Sequence, residues 1–130
     1  MSIYRKIGLG IVFAWFFFGG IGHFLMTDFF VSIVPPYVPY PRAAVYLSAV
    51  FELLGAFGVL IAATRQWAGW GLILLTLAVT PANVHMWLHP EQFSQYHPEL
   101  FGLRLAIQAV LLICIWWSTR PPPTAAAAAA

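Results

Sequence analysis

Hydrophobic side chains run through this chain in long blocks, and polar positions gather in the intervals between them. Blocks at about 5–26, 43–64, 67–88 and 100–119 each hold about 20 mostly apolar residues, the length a helix needs to cross the hydrocarbon core of a bilayer. The pattern predicts an all-α fold, an integral membrane four-helix bundle occupying residues 1–120 as one domain. About three residues around Arg65 separate the second block from the third, so those two helices are expected as antiparallel neighbours. Residues 121–130, three prolines, Thr124 and six alanines, read as a stop followed by low complexity and are set aside from functional reasoning.

Composition strengthens this reading: 62% of the 130 residues are hydrophobic and 8% are charged, against roughly 25% charged in an ordinary soluble domain. The first block follows Arg5 and Lys6 as a signal peptide would. It is too long for that and ends without a small-x-small cleavage site, so it is expected as a mature helix. Arg5, Lys6, Arg65 and Arg120 fall on one side of the predicted bundle, and Asp28, Glu91 and Glu99 fall on the other with Arg42. Cytoplasmic loops carry the excess of Lys and Arg, so both termini are expected in the cytoplasm. The net charge of +2 is then a topology signal and implies no nucleic-acid partner. Expected partners are the lipid bilayer and other membrane-protein subunits.

Glu52 is the most informative polar position. It is the single charged residue between Ala43 and Thr64, ~13 Å inside Ala43 at 1.5 Å per residue. A carboxylate at the centre of a membrane helix costs at least ~2.5 kcal/mol, so it demands a partner or a purpose. Ser48, Glu52, Gly55 and Val59 share a helix face whose small residues let a neighbour approach. Thr76, Thr80 and Asn83 share a face of the third helix near Pro81, which is expected to kink it. Arg104 and Gln108 align on the fourth helix, and His23 follows the glycines Gly19, Gly20 and Gly22, read as a flexible stretch. All these groups fall in one half of the bundle, which predicts a polar pocket open toward the outside and sealed below.

Two readings of the cluster stand side by side. In one, Glu52, Arg104, Gln108, Asn83 and His23 bind a small amphipathic ligand. In the other, Glu52 and Arg104 form a structural ion pair that Gln108 and Asn83 help to satisfy. A transporter needs polar residues through the other half as well, and the sequence does not supply them. His85 and His89, spaced i, i+4, present two imidazoles on one face, but no third ligand is identified and no metal is assigned. Cys114 is the lone cysteine, which excludes an internal disulfide or a Cys-x-x-Cys pair. The longer connections differ in character: Thr27 to Arg42 holds four prolines among aromatic residues and reads as a semi-rigid surface lid.

The ordered set Gly20-Ile21-Gly22-His23-Phe24, Ile33-Val34-Pro35-Pro36, Glu52-Leu53-Leu54-Gly55, Pro81-Ala82-Asn83-Val84-His85-Met86 and Leu103-Arg104-Leu105 with Gln108 resembles the DoxX family of small four-helix membrane proteins. The resemblance spans residues 5–118. It implies a multi-pass protein of a bacterial-type inner membrane, in a family linked with quinone-dependent oxidase and thiosulfate:quinone oxidoreductase systems, with thiol-stress complexes and, in animals, with membrane-protein assembly. On that basis the chain is expected to be an accessory subunit of a membrane redox system with quinone as ligand. No haem, flavin or iron–sulfur motif accompanies it, and no nucleophile–base pair marks an independent enzyme.

Overall fold

The computed structural model of this protein describes residues 1–94 and 96–121, so the low-complexity tail beyond Pro121 lies outside the described residues. Among the described residues the chain is helical and without strands: α1 (Ile3–Leu25), α2 (Thr27–Ser32), α3 (Pro41–Leu60), α4 (Arg65–Leu88), a 3₁₀ turn (Pro90–Phe93) and α5 (Glu99–Thr119). Four of these, α1, α3, α4 and α5, are long and apolar enough to span a membrane.

Local chemistry sets the boundaries. Ser2 caps α1, its hydroxyl accepting from the Arg5 N–H at 3.2 Å. Pro41 opens α3 at a position where its missing N–H costs nothing, just after Tyr40 in the left-handed region (φ 50). The sequence pattern carries this helix to Thr64, but it ends at Leu60. Thr64 Oγ1 donates to the Gly58 carbonyl at 2.8 Å, and Arg65 Nε and Nη2 donate to the Val59 and Leu60 carbonyls at 2.8 and 3.2 Å. These side chains take over carbonyls that a further helical turn would have used. At the same end Arg5 Nη2 donates to the Ser118 carbonyl at 3.2 Å and to that of Arg120, closing α5. Arg5 and Arg65, read from sequence as topology markers, therefore also cap helix C-termini, where the dipole favours them.

Two further expectations are revised. The Gly19–Gly22 stretch is regular helix within α1 rather than a flexible joint. A Cβ on Gly20 would lie 2.8 Å from Leu53 Cγ and 3.2 Å from the Ala49 carbonyl, so this glycine serves the close approach of α1 to α3. The segment after α1 begins as helix α2, with Thr27 Oγ1 bonded to the His23 and Phe24 carbonyls at 2.8 and 3.0 Å. Only beyond it do the prolines take over, and Pro35 is fully buried. α4 stays helical through Pro81.

The four long helices pack in a ring in the order α1, α3, α4, α5 and back to α1. Near the end that carries the termini the bundle is solid, with Leu9, Val12, Phe16, Ala56, Val59, Leu72, Leu111 and Ile115 in one buried cluster. A smaller cluster of Ile33, Met86, Phe93 and Phe101 sits under the connecting segments at the opposite, loop end. The outside is apolar: Leu54, Leu74 and Ile113 are 64–70% exposed, a surface suited to lipid rather than water.

Candidate functional site

Between the solid core and the loop-end cluster lies a cavity of about 120 Å³ into which all four long helices project, including Trp15, His23, Glu52, Thr76, Arg104 and Gln108. It shares His23, Ser48, Val79, Asn83 and Arg104 with a second cavity of about 220 Å³ roofed by Phe30, Pro35 and Val38. Phe16 and Leu111 floor the first cavity and belong to the buried core beneath it. These two cavities therefore lie in the loop-end half of the bundle.

Glu52 meets His23, not Arg104. Its Oε2 lies 2.8 Å from His23 Nδ1, with the two side chains 12% and 15% exposed. The approach is out of line for a hydrogen bond, and both atoms are buried without any hydrogen-bond partner. Helix order explains why the expected Glu52–Arg104 pair does not form. α1 lies beside α3, and Gly19 removes the side chain that would separate them: a Cβ there would stand 3.3 Å from Glu52 Oε1. α5 is diagonal to α3 across the cavity, so Arg104 faces Glu52 from the far wall. Among the described residues Arg104 makes no hydrogen bond and no ion pair, and it remains exposed. The His23 ring also stands edge-on to Phe30, 4.2 Å between centroids, which links the acid to the roof.

Asn83 and Gln108 form a second, separate network. Asn83 Nδ2 donates to Gln108 Oε1 at 2.6 Å, Gln108 Nε2 donates to Thr80 Oγ1, and the Thr80 hydroxyl donates to the Thr76 carbonyl at 2.8 Å. This chain clamps α5 to α4. It satisfies Gln108 and Thr80 internally, leaving His23, Glu52 and Arg104 as the groups with spare capacity toward the cavity.

The histidine pair at the end of α4 has other engagements. His85 and His89 stack at 4.5 Å; His85 Nε2 lies 3.1 Å from Gln92 Oε1, and His89 Nδ1 lies 3.1 Å from the His85 carbonyl. His97 approaches Glu99 at 3.6 Å on the exposed surface. No group of three metal-binding side chains occurs among the described residues.

The family model described as Domain of unknown function (DUF8561) matches residues 12–120. The chain belongs to the DUF8561 family. No curated protein and no solved structure matches it. The matched span of this DUF8561 protein takes in every cavity-lining residue named above.

Sequence reasoning singled out five site residues, and the structure brings all five to the cavity walls while changing their partners. It passed over Trp15, and it read the segment that carries Phe30 and Pro35 as a surface lid without naming either as a site residue. Trp15, Gly19 and His23 follow one another at four-residue steps, so the face of α1 that carries His23 already pointed to Trp15. No comparable signal marks Pro35 as buried, because its position depends on how the connecting segment folds back.

Proposed function

We propose that the protein binds a small amphipathic molecule, with quinone as the favoured class, in the polar cavity at the loop end of the bundle. The observation that carries this reading is the pair of buried, unpartnered atoms His23 Nδ1 and Glu52 Oε2, with the unpaired Arg104 side chain on the opposite wall of adjoining cavities. Together those cavities reach the lower end of the ~300–1,000 Å³ typical of small-molecule sites. Buried polar atoms without partners are costly, and a ligand with hydrogen-bonding groups at both ends of a ring relieves that cost at the His23–Glu52 wall while its other end engages Arg104. The α1–α3 wall offers His23, Glu52 and Ser48; the α5 wall offers Arg104. His23 and Glu52 provide an acceptor for protons released by a quinol. Electrons require a partner subunit, in keeping with an accessory role in a membrane redox complex.

The DoxX-like motif order supports the same class and a bacterial-type inner membrane. Arg5, Lys6, Arg65 and Arg120 at one end of the bundle support placing both termini in the cytoplasm and the cavity on the outer side. Intrinsic fluorescence tests the reading, because Trp15 lines the cavity. In lipid nanodiscs a quinone analogue is expected to quench it saturably, and Trp15→Phe should remove that component. Glu52→Gln and Arg104→Gln should weaken the titration without unfolding the chain. Quenching that rises linearly with quinone and ignores these substitutions would count against a site.

A second reading, a structural or assembly subunit with no ligand, draws on the Asn83–Gln108–Thr80 clamp between α4 and α5. It predicts that substitutions in the cluster lower stability while the activity of each folded complex is unchanged.

A further inference from the structure

An apolar furrow adjoins the polar cavity along the outward side of α3 and α4. It has a volume of about 560 Å³ and meets the larger cavity at Ala78, which borders both. On α3 its wall passes from Phe51 to Leu54 and Gly55, directly below Ser48 of the cavity. On α4 it descends from Ala78 past Leu74 and Gly71 to Trp67, ~16 Å of helix at 1.5 Å per residue. No charged side chain lines it. A Cβ on Gly71 would meet nothing within 4 Å, so the furrow floor is open at its middle.

We propose that this furrow holds the hydrocarbon tail of the amphiphile whose head occupies the polar cavity, and that the ligand arrives sideways from the bilayer between α3 and α4. The inference rests on the head-group reading above and adds the tail and the route. The shared wall at Ala78 puts the furrow within reach of an occupant of the head cavity, which favours a tail over an unrelated occupant. A linear hydrocarbon leaving the head site at that point meets a neutral channel with small residues at its floor, while the loop end is roofed by Phe30, Pro35 and Val38. Lipid tails are as apolar as the furrow walls, so burial there adds little affinity by itself. The furrow acts by admitting and aligning the tail, and an obstruction acts by steric exclusion.

The test uses the full chain in nanodiscs, a tail-less benzoquinone and an isoprenoid-tailed one, and the Trp15 signal. Gly71→Leu puts bulk into the furrow from a position whose Cβ meets nothing within 4 Å, and Ala78→Leu obstructs the junction. Gly71→Leu should weaken the tailed quinone by about tenfold, equivalent to ~1.4 kcal/mol, and leave the tail-less one unchanged, whereas Ala78→Leu, which also borders the head cavity, should weaken the tailed quinone more than the tail-less one. Equal binding of both quinones to variants and wild type would overturn the tail route. Equal weakening of both quinones would also overturn it, by showing that the substitutions act on the head site. Unchanged quinone binding with loss of an oligomer would assign the furrow to a second copy of the chain instead. If neither quinone binds the wild-type protein, the head-group reading fails and this inference fails with it.

Discussion

The partnership of Glu52 with His23 makes a prediction that separates the structure from the sequence-based expectation. The perturbation is a double-mutant cycle built from Glu52→Gln, His23→Ala and the double variant. Removing one member of a fully buried ion pair costs ~3–5 kcal/mol because the other is left uncompensated. Polar contacts inside membranes average nearer ~0.6 kcal/mol, since the unfolded chain in lipid also finds partners. The His23–Glu52 contact lies between these limits. It is close, at 2.8 Å, and mostly buried, but out of line for a hydrogen bond. A coupling free energy of ~1–2 kcal/mol is therefore expected, well above the ~0.5 kcal/mol within which independent sites add. Reversible unfolding in mixed micelles, followed by circular dichroism, measures all four corners. The parallel cycle with Arg104→Gln should give a smaller coupling, because Arg104 faces Glu52 across the cavity without contact. Additivity for His23 and Glu52, or a larger coupling to Arg104, would refute the assignment of partners.

Other consequences follow from the same packing. Gln108→Leu leaves the buried Asn83 amide without its acceptor and should destabilise by ~1–3 kcal/mol, whereas adding Asn83→Leu should recover part of that loss. Gly20→Leu overpacks the α1–α3 contact, where Leu53 and the Ala49 carbonyl already crowd the missing side chain, and should cost at least ~1–3 kcal/mol in the same unfolding assay. Gly10→Ala, with open space at its Cβ position, is the matched control and should be neutral or slightly stabilising. Arg65→Ala frees the Val59 and Leu60 carbonyls at the end of α3 and should lower stability by ~1 kcal/mol. Amide exchange should rise selectively in the turn around Ile61–Thr64.

The fold was legible in the hydrophobic blocks because a membrane helix must carry its signal over its whole length. The helix ends were less so. Thr64 and Arg65 look like turn residues, and their side chains end α3 one turn before the apolar pattern does. Confinement of Glu52, Asn83, Arg104, Gln108 and His23 to one end of the bundle followed from counting residues along each helix. The pairing did not, because depth alone fails to say which helices are adjacent. Arg104 and His23 both reach the level of Glu52, and the choice between them depends on the ring order and on Gly19 bringing α1 against α3. The glycines that read as flexibility in sequence are contact points in the bundle. The burial of Pro35 depended on a fold-back that no periodic pattern encodes.

Whether the cavity between His23, Glu52 and Arg104 holds a ligand is the central question for the function of this bundle. Photoaffinity labelling with an azido-quinone, in membranes containing the full chain, addresses this most directly through the peptides that carry the label. Saturable labelling is expected on the cavity-lining stretches around Ser48, Val79 and Arg104, displaced by unlabelled quinone and lost in Glu52→Gln and Arg104→Gln. Labelling spread over the bilayer-facing surface, unaffected by competitor and equal in both variants, would contradict it.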